Sequence, residues 1–354
     1  MSETKIDPSI IRTYEVKPQH IYLPPDDKQT SSTEYRLARH MAIEGRVSPN
    51  PLLAIGIEEA KKQIIKREEE LDLVVKKKQS MRVAILPPEL YKKVYELLTK
   101  EEYRNSTSAY VPGMGTVLHT ETQDPYYLQA SDVYHEWVHR FLEVHVQVEA
   151  EMNQLKGGRR EKSYFDNRSG IAVEQIHTTK EGRQKDRRGE MLNELGNYLE
   201  QNIFIQRLLR MPEFATEIEN KQKMLAELNL HDGLFGGFAQ KPDGTRVQVI
   251  FTQNNLHAKD NGQLSITNSD VYMQFACDLA LFCDPEHGGE EFRKLLLLAR
   301  IDPVRQNDLR IMIDSKLGEG FYTKLKDMKY EVDDNFWDMF VYLQSRLYPN
   351  KVVA

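Results

Sequence analysis

Histidines at 135 and 139 bracket Glu136, Trp137 and Val138 in the stretch YHEWVHRFLEVH, residues 134–145. In a helix, residues four apart are separated by about 400° and stand about 6 Å apart along the axis. Both imidazoles then share one face and can bind a single zinc ion. Glu136 lies about 100° round from His135, too far to be a third ligand from the same helix. It is placed to contact a water on the metal, which is the role of a general base. Trp137, Phe141, Val144 and Val148 recur at helical spacing as a core stripe, distinct from the stripe holding Asp132, His135 and His139. That reading carries the helix through Val148. The alternation in VHVQVEAEM (144–152) competes as a strand that would begin beyond the histidine pair.

A catalytic zinc takes three protein ligands and leaves a position for water. His145 is one candidate for the third, because HEWVHRFLEVH has the spacing of the metzincin motif, with Leu142 where that motif has its helix-breaking glycine. Leucine is a strong helix former, and if the helix continues, His145 lies about 240° from His139, on another face. Glu194 is the better candidate. It sits in RRGEMLNELGNYLEQN, within a helix expected over about 187–210, where Leu192, Leu195 and Leu199 give the core stripe and Glu194 projects from the other side. Glu190, four residues earlier on the same stripe, is its main competitor.

With His-Glu-x-x-His followed by a helical Asn193-Glu194, the region of about 115–205 resembles the gluzincins, the zinc metallopeptidase group that includes thermolysin and the aminopeptidases. The resemblance implies one Zn2+ held by His135, His139 and Glu194, with Glu136 as general base. It also implies an edge strand beside the metal that pairs with extended substrate, and GTVLHTET (115–122) stands in that place. A donor to the developing oxyanion is expected at Tyr198, His231 or Tyr322. Two departures stand out. The 54 residues between His139 and Glu194 require an insertion, read as a hairpin. Tyr198 stands where such families often carry a supporting acid, a role left to Glu190 or Asp132. His119 reads as structural.

The elements that must carry these residues are those of a helix-rich α+β fold. Residues 1–50, proline-rich and polar, read as a poorly ordered arm. Residues 51–210 read as a zincin-like catalytic domain with a small sheet whose edge strand is about 115–121, and 211–354 as a mostly helical domain with one hairpin turning at Pro242-Asp243-Gly244. A long amphipathic helix is expected from Leu52 to about Ser80. Strands are expected at 82–86, 108–111 and 116–120, with a helix entered at Pro88.

At 354 residues, with 40% hydrophobic and 29% charged residues and a formal net charge of -6, the chain has no global attraction to nucleic acid or anionic membrane. The basic runs KGGRREK and KEGRQKDRR lack interleaved aromatics and read as solvated loops. Cys277 and Cys283 are too few for a disulfide framework. The first twenty residues have no apolar core and no run approaches about 18 apolar residues, so a cytoplasmic protein is expected. The expected activity is zinc-dependent peptide-bond hydrolysis by a water that Glu136 activates. The alternative is an inactive zincin-like domain retained for binding.

Overall fold

The computed structural model describes residues 32–71, 81–99, 103, 107–111, 115–141, 145–151, 163–179, 182–227, 234–252, 257–258, 264–265, 267–302, 304–330 and 332–349. Helix α1 (Thr33–Glu44) lies in the region expected to be an ordered-poor arm; Ser32 caps it by accepting from the Tyr35 N–H at 3.1 Å. Helix α2 (Pro51–Glu70) starts on an Asn50 cap with proline at its first position and ends earlier than the expected Ser80, residues 72–80 lying outside those described.

Strand β1 (Arg82–Ile85) leads into α3 (Pro88–Thr99), followed by β2 (Ser108–Val111) and β3 (Thr116–His119). The sheet order is β1-β3-β2, with β1 parallel and β2 antiparallel to β3. The strand expected at the edge is therefore the central one, and β2 is the edge. The physical reason is legible in burial. All four β3 residues are buried, because Val117 packs into the core shared with α2 and α4 (Tyr126–Phe141) while Leu118 packs into a second core with α1 and α3. A strand covered on both faces reads as a continuous apolar run.

Helix α4 ends at Phe141, and β4 (His145–Glu151) follows it. From His145 on, the period-two alternation of valine with polar residues prevails, which corrects the reading that carried the helix through Val148; residues 142–144 lie outside those described. β4 pairs in turn with β5 (Ser163–Ser169), β6 (Ala172–Thr179) and β7 (Gly182–Arg188) as an antiparallel meander. The insertion between the two motif helices is thus four strands rather than a hairpin.

Helix α5 (Glu190–Leu208) follows, entered through Gly189 at φ 83°, where a Cβ would stand 2.6 Å from the Ile171 carbonyl oxygen. Beyond it come α6 (Ala215–Glu227), the hairpin β8 (Leu234–Gln240) and β9 (Arg246–Thr252), the short pair β10 (His257–Ala258) and β11 (Leu264–Ser265), then α7 (Asn268–Cys283), α8 (Glu290–Ile301), α9 (Arg305–Leu317), α10 (Phe321–Asp327) and α11 (Asp334–Leu347). The result is a helix-rich α+β fold. One core runs from Leu53 through Val138 and Leu195 to Leu343, so the C-terminal helices share it with the motif helices. Both cysteines are free thiols. Among the described residues no helix is long and apolar enough to cross a membrane.

His119 is structural, fully buried in β3 with Nε2 3.3 Å from Gln129 Oε1. Burial lowers its pKa from 6.5 to about 4, against the raising effect of its hydrogen bonds to Gln129 and Thr107. Between those values the unfolded chain takes up a proton that the folded chain refuses, so stability present above pH 6.5 is lost as pH falls towards 4, by roughly 3 kcal/mol from this group. Buried Asp278, raised from 3.8 to about 6 by burial against three hydrogen bonds, acts in the opposite sense over its own range. Comparison of His119→Gln with the unsubstituted protein cancels the Asp278 contribution. The variant is expected to show a flatter loss of unfolding free energy from pH 6.5 to 4 in urea titrations; parallel curves would contradict this account.

Candidate metal centre

Two polar stripes face each other where α4 packs on α5. On α4 they are Ser131, Asp132, His135 and His139; on α5, at helical spacing, Glu194, Asn197 and Gln201. Helix α5 was read as a leucine core stripe with Glu194 projecting from the other side, and residues 191–201 are buried all round, because α4, α7, α8 and α10 enclose it. Each of its polar side chains consequently has to find a partner inside.

Glu194 finds both histidines. Its Oε2 lies 3.3 Å from His135 Nε2 and its Oε1 3.2 Å from His139 Nε2, and the residue is 8% exposed. Among the described residues, ligand atoms of His135, His139 and Glu194 form a group of metal-binding type, all within 4.8 Å of one another. Burial raises the Glu194 carboxyl, but the charge of His139 and hydrogen bonds from both imidazoles outweigh it and hold the group well below the ordinary carboxylate range. Glu190 is the first residue of α5 and does not belong to the converging group. His145 opens β4, its backbone paired with Ser169.

The surroundings assign the histidine nitrogens. Gln201 Nε2 donates to Ser131 Oγ (3.1 Å) and Asp132 Oδ1 (3.2 Å), so its Oε1, 3.0 Å from His135 Nδ1, accepts from that nitrogen. Asp132 in turn accepts from Thr107 Oγ1 at 3.1 Å. Nε2 of His135 therefore faces Glu194, as a lone pair when the ring is neutral and as the N–H donor to the carboxylate when the ring is protonated. On the other side, buried Arg300 donates to Asn197 Oδ1 at 2.6 Å, which turns Asn197 Nδ2 towards His139 Nε2, also at 2.6 Å. Gly196 permits this approach, since a Cβ there would stand 2.8 Å from Arg300 Nη1. His135 Nε2, held from behind through Nδ1, and the Glu194 carboxylate converge with His139 Nε2, which accepts from Asn197 Nδ2 and would exchange that donor for a metal ion. A proton or a cation between them balances that convergence.

Glu136 points to the sheet. Its Oε2 accepts from the Tyr110 N–H of β2 at 3.0 Å and its Oε1 from Ser108 Oγ at 3.3 Å. The edge strand that meets the motif helix is therefore β2, in place of the segment at 115–121. Of the three candidate donors, Tyr198 has its ring centroid 4.9 Å from that of His135 and its hydroxyl 2.6 Å from Tyr330 Oη. Burial, with the charge of Glu194, raises the Tyr198 phenol, which stays protonated. Tyr322 is buried in α10, and His231 lies outside the described residues.

Sequence reasoning missed Asn197, Gln201 and Arg300. The signal for the first two was present: with Glu194 they make positions i, i+3 and i+7 of one helical stripe. Glu217 was also missed; its carboxylate caps α4 by accepting from the N–H groups of Tyr126 (2.7 Å) and Tyr127 (3.3 Å), a contact across 90 residues or more that no local pattern announces. Comparison with protein-family models, with curated proteins and with solved structures gives no match to the chain.

Proposed function

We propose that this chain is a zinc metallopeptidase of the His-His-Glu type. The observation that carries the reading is the convergence of His135 Nε2, His139 Nε2 and the Glu194 carboxylate, a donor set that suits zinc and leaves a coordination position open. When bound there, zinc supplies a Lewis acid that polarises the scissile carbonyl. Glu136, beside His135 on α4, takes the proton from the attacking water and returns it to the departing amine. Strand β2, the sheet edge that Glu136 touches, is the element on which an extended peptide would lie by strand addition.

A second reading is supported by that same contact. Both Glu136 oxygens are engaged by β2, and the outward Tyr110 N–H that a substrate backbone would use is occupied. A domain that binds metal and partner without cleaving peptides fits this arrangement. The deciding measurement combines zinc content with cleavage of a mixed peptide library. Zinc near one equivalent with cleavage supports the peptidase; zinc without cleavage supports the binding protein; no zinc sinks both.

Gln201 tests the metal centre separately from activity. Gln201→Ala removes the acceptor that sets the His135 tautomer and is expected to weaken zinc binding by about 10–100-fold. Competition against a chromophoric chelator reads this directly, and unchanged affinity would show that the Gln201 contact does not prepare the site.

A further inference from the structure

The opposite face of α5 borders an open cavity. Ile203 lies nine residues beyond Glu194, about 900° along the helix and hence on the far side. There α2, α5 and α8 border a space of about 640 Å³, within the range of small-molecule sites. Lys66, Arg67, Arg207, Arg210 and Arg293 line it against two carboxylates, Glu70 and Glu290, an excess of three positive charges. The chain as a whole carries -6.

Two buried acids stand behind this wall and orient it. Glu59 holds Arg207 through Nε, and Glu200 holds Arg67 through Nε at 3.1 Å and Arg293 through Nη1. Counting them, five cations against four carboxylates still leave one positive charge. A guanidinium has five N–H donors in a rigid fork, so one contact from behind fixes its plane and leaves other donors for a ligand. Arg207 is held in that way, whereas Arg67 also meets Glu70 through Nη1 and Arg293 also meets Glu290 through Nε and Nη2. Both terminal nitrogens of Arg207 and the whole Arg210 guanidinium make no hydrogen bond or ion pair among the described residues. Gln206, also on the wall, buries an Nε2 with no acceptor. Arg67 and Arg207 stand in the last turns of α2 and α5, where a cation suits the helix carbonyl ends. Arg293 is taken up by Glu200 and by Glu290, which accepts from its Nε at 2.8 Å and from its Nη2, and Lys66 stands 3.6 Å from Glu70. What remains for a ligand is the terminal nitrogens of Arg207, the Arg210 guanidinium and the Gln206 amide.

We propose that this cavity binds a small molecule through a polyphosphate group. The unengaged forks of Arg207 and Arg210, at the rim of one space, match adjacent phosphoryl oxygens. The apolar part of the wall is Ile203 and Met211, with no aromatic ring to stack a base, so recognition is by charge.

The test is isothermal titration of the full chain, freed of metal by chelator and dialysis, with inorganic tripolyphosphate at low salt. Saturable binding is expected, weakening with added salt and at least roughly tenfold weaker in Arg210→Glu. Arg210 is exposed and makes no ion pair or hydrogen bond of its guanidinium among the described residues, so that variant is expected to keep the circular dichroism of the unsubstituted protein. His139→Ala is expected to bind as tightly as the unsubstituted chain. The proposal fails if no saturable binding is seen, if Arg210→Glu and Arg207→Glu both bind unchanged, or if His139→Ala abolishes binding and so places the ligand at the triad. It also fails if inorganic orthophosphate binds as tightly as tripolyphosphate.

Discussion

Peptide hydrolysis by Glu136→Gln is expected to fall by a factor of about 10²–10⁴, with zinc content and fold unchanged. The structure makes this substitution unusually diagnostic. The glutamine carbonyl can accept from the Tyr110 N–H as Glu136 Oε2 does, and the Ser108 hydroxyl, which donates to Oε1, can instead accept from the new amide. The tie between α4 and β2 is therefore retained, and what is removed is the capacity to take a proton. Zinc measured on the same sample guards against loss of the metal. Equal hydrolysis by both forms would sink the general-base assignment. If neither form cleaves while both hold zinc, the binding reading replaces the peptidase.

The largest stability effect is expected at Glu200. Its side chain is fully buried; Oε2 accepts from Arg67 Nε at 3.1 Å and from the Tyr134 hydroxyl at 3.2 Å, while Oε1 meets Arg293. Glu200→Ala leaves Arg67 and Arg293 without their shared buried carboxylate, and Arg293, 4% exposed, with Glu290 alone as its partner, at Nε and Nη2. Removing one partner of such a cluster costs about 3–5 kcal/mol, far more than the intact cluster contributes, because a desolvated charge is left behind. Urea unfolding midpoints read the difference. A loss below about 1 kcal/mol would place Glu200 among solvent-screened pairs and contradict its burial.

Legibility of this molecule in its sequence followed the range of the forces involved. The histidine pair with Glu136 and the helix bearing Glu194 could be read because each rests on contacts three or four residues apart, and the hairpin turn at 242–244 because Gly244, at φ 88°, needs no distant partner. Misreadings came where tertiary packing decides. Strand β3 lies in the middle of its sheet because two cores cover it, and composition alone does not say which strand is covered twice. Segment 145–151 balanced continuation of the helix against alternation, and β5, distant in sequence, supplies the pairing that favours the strand. Asn197 and Gln201 looked like ordinary polar helix residues, and only the burial of every face of α5 makes them partners of the triad.

The meander between the two motif helices bears on how such a site is recognised in other chains. His145 pairs with Ser169, Ser169 with Ala172, and Val173 with Arg188, so the first residue of β4 and the last of β7 lie at the same end of the sheet. An even number of antiparallel strands returns the chain to its point of departure. The turn at that end is fastened to α5, where Asn193 Oδ1 accepts from the Ile171 N–H at 2.9 Å. Adding or deleting one hairpin would change the sequence distance between His139 and Glu194 by some twenty residues while leaving the start of α5 where it is. The gap of 54 residues is therefore a count of strands, not a dimension of the site. A search that fixes that gap would discard chains whose ligands meet in the same way.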